Sequence, residues 1–163
     1  MTFKETYKQN GFTLLELLIV VLIVGILTAI VVPQYLKTVE RSRMAEAVTN
    51  LRTLYNAEQH YFLATGNHPS KLSDLDVSIQ GEDNGTDGIT AKYFHYATYT
   101  GGLKGFAAYR LPLPKDDNYA IFIRYESNSE SAPSGPLLRC NVYGRATDVQ
   151  KKLCQEIEAN HSL

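Results

Sequence analysis

Glu16 is a carboxylate set among apolar residues: Leu14 and Leu15 precede it, and Leu17 to Leu36 follow without one charged side chain. In the centre of a bilayer such a group costs up to a few kcal/mol, and less toward the interface. It must therefore reach the headgroups or find a cation. Cys140 and Cys154 are the only thiols. They are compatible with free cysteines, with half of a metal site or with a disulfide. No further Cys or nearby His completes a zinc pattern, and a disulfide is the best reading if this part of the chain faces an oxidising compartment. His60, His68, His95 and His161 are scattered, and no Gly-rich phosphate loop is present. Asp83, Asn84 and Asp87 lie close enough to suggest calcium, but the EF-hand spacing and its closing Glu are missing, so a solvated loop is expected. The sequence thus predicts no catalytic residue, no metal and no cofactor.

The element that positions Glu16 is the apolar run itself. Leu17 to Leu36 makes roughly 30 Å of helix at about 1.5 Å per residue, which matches the hydrocarbon core of a bilayer. Leu17 to Leu27 is apolar on every face, where a soluble core helix shows periodicity. A cleaved secretory signal also begins with basic residues, here Lys4 and Lys8, but its apolar stretch is shorter and ends in small residues. Here the run ends in Gln34-Tyr35-Leu36-Lys37. Any cut is expected before the run. Lys4 and Lys8 against Glu5 on one flank, and Lys37, Arg41 and Arg43 against Glu40 on the other, barely discriminate orientation.

The run Gly-Phe-Thr-Leu-Leu-Glu, Gly11 to Glu16, placed directly before this stretch, resembles the processing site of type IV prepilins and type II secretion pseudopilins. The resemblance implies cleavage between Gly11 and Phe12 by a prepilin peptidase, N-methylation of the new Phe12 amine, and a leader left on the cytoplasmic side. It implies that Glu16 pairs with the Phe12 amine of a neighbouring subunit, setting register during assembly. Gly25 and Pro33 fall where this family carries a helix-loosening Gly and Pro. The Gly25 to Pro33 stretch is read either as loosening when subunits leave the bilayer or as a static kink.

Beyond the span, Ala47, Val48, Leu51, Leu54, Tyr55, Tyr61 and Phe62 recur at spacings of three and four, the pattern of an amphipathic helix. Glu40, Arg41, Arg43, Glu46, Arg52 and Glu58 are assigned to its remaining surface. Gly66 supplies a C-cap and Pro69 prevents resumption, so the helix should end near Thr65. Pro69 to Leu75 suits one short helical turn, and Gly81 to Gly88 reads as a polar loop. Strand-like runs follow at Tyr93–Tyr99, Phe106–Leu111, Tyr119–Tyr125 and Leu137–Tyr143, with period-two alternation clearest in the third. Short linkers favour an antiparallel meander. Thr147 and Asp148 cap a short helix toward Glu158, which would return Cys154 to the strand bearing Cys140. The expected class is α+β: a long N-terminal helix packed on a small antiparallel sheet, as in pilins. The divisions read as a leader over 1–11, a membrane or filament-core helix over 12–36, its amphipathic half over 37–65, and a globular head over 66–163. The closing cysteine loop resembles the C-terminal disulfide loop of type IV pilins, which major pseudopilins usually lack.

A 44% hydrophobic content supports a core, and a formal net charge of -1 lacks the basic stripe expected of a nucleic-acid binder. Exposed tyrosines among Tyr93, Tyr96, Tyr99, Tyr119 and Tyr125 would support adhesion or stacking on single strands, but half-buried strand positions are the plainer reading. The leading reading is a pilus subunit that polymerises with itself and other pilins, is served by a prepilin peptidase-methylase and an assembly platform, and is held in the inner membrane with its head outward before it joins an extracellular fibre. A type II secretion pseudopilin and an N-terminally anchored periplasmic enzyme or binding domain are the alternatives.

Overall fold

The computed structural model describes residues 12–83, 88–99, 104–112, 118–126, 137–144 and 146–160. Two compact units divide the chain, Met1–Thr38 and Val39–Leu163. The helix α1, Leu14–Thr65, contributes to both.

In the first unit, α1 is helical through Gly25 and Pro33, and every residue from Leu14 to Leu36 is exposed. Among the described residues, the apolar side chains here are left uncovered. Over its N-terminal part α1 is long and apolar enough to cross a membrane.

The second unit is built on the remainder of α1. Met44, Ala47, Val48, Leu51 and Leu54 are buried along one stripe, the spacing that places side chains on a single helix face. The helix ends where Gly66 takes a positive φ of 70° and donates its N–H to the Phe62 carbonyl at 2.8 Å, a left-handed cap that suits glycine. A 3₁₀ turn, Leu72–Asp74, tucks Leu72 inward, and Asp74 Oδ2 accepts from the amides of Ser70 and Lys71.

The sheet contains β1 (Glu82–Asp83), β2 (Ile89–Thr90), β3 (Phe94–Tyr99), β4 (Lys104–Arg110), β5 (Tyr119–Glu126) and β6 (Leu137–Val142), neighbours in chain order and antiparallel throughout. This is the α+β architecture expected, with one correction. Glu82–Asp83 pairs with Ile89–Thr90 rather than lying in a loop, because two-residue strands carry no periodicity to read. Phe94, Tyr96, Phe106, Ala108, Tyr119, Ile121, Ile123, Leu138 and Cys140 form one core with the α1 stripe. The opposite face holds a smaller cluster of Ala107, Ala120 and Phe122 with Tyr109 and Tyr143. Gly105 sits at a register shift between β4 and β5, where a Cβ would approach the Ile123 carbonyl oxygen to 2.1 Å.

α2, Asp148–Asn160, follows β6. Thr147 and Gln150 cap it reciprocally: Gln150 N donates to Thr147 Oγ1 at 3.3 Å, and Thr147 N donates to Gln150 Oε1 at 2.8 Å. Cys140 and Cys154 form a disulfide with Cα atoms 5.3 Å apart. Glu158 Oε1 also accepts from the Cys140 amide at 3.1 Å, supplying an acceptor to the strand that ends the sheet among the described residues.

Closing a loop of this length stabilises by about 3 kcal/mol in the chain-entropy model. Replacing both cysteines with serine in the full chain in detergent should therefore lower the urea midpoint and, because the freed unfolded chain is more expanded, leave the denaturant slope equal or steeper. An unchanged midpoint would mean that α2 packing alone holds the C-terminus.

Candidate processing and assembly site

Gly11, on the amino side of the expected cut, lies outside the described residues. Phe12 is 91% exposed. Thr13 is the N-cap of α1 and forms a reciprocal pair with Glu16. The Thr13 amide and hydroxyl donate to Glu16 Oε2 at 3.0 and 2.9 Å, and the Glu16 amide donates to Thr13 Oγ1 at 3.2 Å. The sequence Thr13-Leu14-Leu15-Glu16 is thus a capping box, two orphan helix donors satisfied at once. The sequence reading missed it because it weighed Glu16 only against the membrane and a neighbour. The pair satisfies hydrogen bonds but leaves the charge: no cation among the described residues pairs with Glu16.

Further along, a Cβ built on Gly25 would meet nothing within 4 Å, so no contact among the described residues requires glycine there. Pro33 lacks the N–H that the Ala29 carbonyl would accept. Thr28 donates its hydroxyl to the Val24 carbonyl at 2.7 Å.

The second unit places two carboxylates inside that the sequence assigned to the surface. Glu40 Oε1 accepts from Arg110 Nε at 2.7 Å and from the Tyr119 hydroxyl at 2.8 Å; Oε2 accepts from Arg43 Nη1 at 2.9 Å and Arg110 Nη2 at 3.2 Å. Arg110 Nη1 also donates to the carbonyls of Tyr93 and Leu111, and the Arg43 guanidinium lies 4.4 Å from the Tyr93 ring centroid. The network ties α1 to the ends of β4 and β5. Burial raises the Glu40 pKa, but Arg110, Tyr119 and Arg43 outweigh it and hold the carboxyl below its ordinary 4.5. Burial and the Glu40 charge push Tyr119 strongly upward.

Glu58 is fully buried. Oε1 lies 2.7 Å from His68 Nδ1, and Oε2 accepts from Gln59 Nε2 at 2.6 Å. The His68 ring stacks on Phe62 with centroids 4.7 Å apart. Glu58 follows Leu54 by four residues, so it extends the buried stripe. That spacing was the available signal. His60 is exposed, His95 Nδ1 lies 2.9 Å from Thr90 Oγ1, and His161 falls outside the described residues. Asp83 is exposed on β1, while Asn84 and Asp87 lie outside. Among the described residues, no three of His, Cys, Asp and Glu converge as metal ligands would. Of the tyrosines, Tyr96 and Tyr119 are buried and Tyr93 is half-buried. Tyr96 accepts from Asn50 Nδ2 at 2.9 Å.

Because the folded Glu40 pKa is depressed, its contribution is present above the unfolded value and is lost as pH falls through the lower folded value. Glu40→Gln should cost about 3 kcal/mol, the low end for breaking a buried ion pair, since the side chain keeps 12% exposure. It should also flatten the acid limb of stability measured below pH 5 by chemical denaturation. A variant with the wild-type acid limb would remove Glu40 as its origin.

Residues 6–32 match the family model described as the prokaryotic N-terminal methylation motif. The chain is 51% identical over 55 residues to the type IV major pilin protein PilA of Myxococcus xanthus, covering 34% of this chain and 25% of that one. It is 38% identical over 81 residues to the type II secretion system core protein G of Vibrio cholerae, covering 50% and 56%. A fimbrial protein of Neisseria meningitidis serogroup B is 36% identical over 77 residues, covering 47% and 45%. The chain spans at most about half the length of these relatives.

Proposed function

We propose that this chain, which is related to type IV pilins and type II secretion pseudopilins and carries their N-terminal methylation motif, is the precursor of a filament subunit. The carrying observation is the exposed apolar helix directly behind Gly-Phe-Thr-Leu-Leu-Glu. Leu14, Leu15, Leu18 and Val21 are 88%, 69%, 62% and 59% exposed, a surface that water disfavours by ~25 cal/mol per Å². A bilayer covers it before assembly, and the same surface of other copies covers it in a fibre.

In this reading the peptidase cuts the Gly11–Phe12 peptide bond and frees a Phe12 amine, which is then methylated. The new positive charge lies four residues from Glu16. The Thr13–Glu16 cap holds the carboxylate at the helix start, pre-oriented and still lacking a cation, and the Phe12 amine of a neighbour supplies it. An unpaired charge between apolar helices is penalised, so subunits in the wrong register are disfavoured. Gly25 and Pro33 weaken the helix where it changes surroundings. The chain's role is structural: it is a substrate for the peptidase and does no chemistry of its own. The head faces the periplasm before assembly, a placement supported by a disulfide that needs an oxidising compartment.

A pilus is favoured by the Cys140–Cys154 loop, which resembles that of type IV pilins. The pseudopilin reading is favoured by the similarity to protein G, which covers 50% of this chain against 34% for PilA. Antibody against the head should label surface fibres in the first case. Loss of protein export on deletion, without fibres, would select the second.

Mass spectrometry of the mature chain should find a methylated Phe12 as its first residue. Gly11→Ala should leave the uncut precursor in the membrane. A mature chain that retains Met1 to Gly11, or starts beyond Leu36, would end the proposal. Glu16→Ala should be cut normally yet assemble poorly; fibres at wild-type density would remove the pairing role.

A further inference from the structure

Three cations gather near the start of the second unit. Arg43 stands on α1, Lys92 lies beside Tyr93 in the turn between β2 and β3, and Arg110 ends β4. The Ala91 amide closes that turn by donating to the Phe94 carbonyl at 2.9 Å. The Leu111 amide and Arg110 Nη1 donate to the Tyr93 carbonyl at 2.9 and 3.2 Å, which holds the turn against the end of β4. The Tyr93 ring is where the cations meet. The guanidinium carbons of Arg43 and Arg110 lie 4.4 and 5.7 Å from its centroid, and Lys92 Nζ lies 5.0 Å away. A ring face attracts cations but does not neutralise them. Among the described residues Glu40 is the one carboxylate paired with these three, through Arg43 and Arg110. Arg110 gives it two hydrogen bonds, from Nε and Nη2, and is only 12% exposed. Arg43 gives it a single hydrogen bond and keeps its side chain 29% exposed, and its Nε has no hydrogen-bond partner among the described residues. Lys92 is exposed. Glu40 thus balances Arg110, and the charges of Arg43 and Lys92 are left over beside one phenol. Hydrogen bonding and charge from Lys92, joined by those of Arg43, outweigh desolvation and hold the Tyr93 hydroxyl below its ordinary 10.0.

We propose that Arg43, Lys92 and the Tyr93 hydroxyl bind the phosphate of an anionic lipid headgroup. A phosphodiester offers acceptor oxygens and a negative charge; the three groups offer a guanidinium fork, a compact ammonium and a neutral O–H donor. Position selects a lipid as the source of the phosphate. Arg43 follows Leu36, the last residue of the uncharged run, by seven residues in α1, and seven helical residues cover about 10 Å. The headgroup layer outside the hydrocarbon core is roughly 5–8 Å thick on each side, and long basic side chains extend toward it. A headgroup with its own cation, such as phosphatidylcholine, meets the site without net charge. Phosphatidylglycerol has no such cation and brings a full negative charge. The site rests on the reading that a bilayer covers the apolar run before assembly, and it adds a choice among the lipids of that bilayer.

The test places the full-length chain in nanodiscs of equal parts phosphatidylcholine and phosphatidylglycerol, and native mass spectrometry reads the lipids retained on the released chain. The wild-type chain should retain phosphatidylglycerol preferentially. Lys92→Gln, at an exposed turn, should cut that retention about fivefold, the contribution of one lysine near a membrane surface. Tyr93→Phe, which removes only the hydroxyl, should lower it too. Lys152→Gln, exposed on α2, should leave it unchanged. Lys4, Lys8 and Lys37 are common to all these chains, so they cannot produce the difference. Equal retention of the two lipids, or the same retention in Lys92→Gln as in Lys152→Gln, would overturn the site and leave the membrane reading standing. Displacement of phosphatidylglycerol by added inorganic phosphate would overturn the lipid assignment. A chain that fails to enter the discs would overturn both the site and the membrane reading beneath it.

Discussion

An α-helix that exposes apolar side chains all round from Leu14 to Leu36 is out of place in water, and the organisation of this chain follows from that mismatch. Covering such a run is worth on the order of 20 kcal/mol by area, more than the net stability of a typical domain. Among the described residues nothing provides the cover. In the proposed reading the run sits in lipid or against other copies, and the same apolar surface suits both. In that reading the cut after Gly11 removes Lys4, Glu5 and Lys8 from ahead of the run, and charged residues resist passage through the membrane.

The other half of α1 solves a different problem. Its stripe from Met44 to Leu54 is the spine against which a six-stranded sheet lays its inner face. Two carboxylates lie on or beside that stripe, and each is provided for. Glu40 meets Arg110, Arg43 and Tyr119, a near-complete set of donors for both oxygens. Glu58 meets His68 and Gln59. Buried charge without such partners would be strongly destabilising. With them, the two ends of the helix–sheet contact are pinned, one through β4 and β5 and the other through the chain just after Gly66.

Glu16 contrasts with both. Its hydrogen bonds come from its own helix cap, and no described cation balances its charge. A carboxylate so placed is stable at a membrane edge and gains from a cation that arrives later. The cap and the proposed pairing with Phe12 are therefore successive, since the cap fixes where the carboxylate stands when a neighbour comes.

Much of this was legible in the residues. Periodicity is a local property, so the span from Leu17, the amphipathic stripe, the helix end at Gly66, the four main strands and the Thr147 cap could all be read from neighbours in sequence. Pairings that join distant segments could not. Glu40 reads as one more surface charge until β4 and β5 bring Arg110 and Tyr119 to it, 70 and 79 residues further along the chain. Glu58 reads as solvated until His68 folds back over it, and Glu82–Asp83 becomes a strand only by pairing with Ile89–Thr90. Sequence determined where the chain is apolar, helical or extended, because those preferences belong to single residues and their near neighbours. Only the tertiary structure decided which polar groups are buried and by whom they are satisfied, because a hydrogen bond depends on where two remote segments meet.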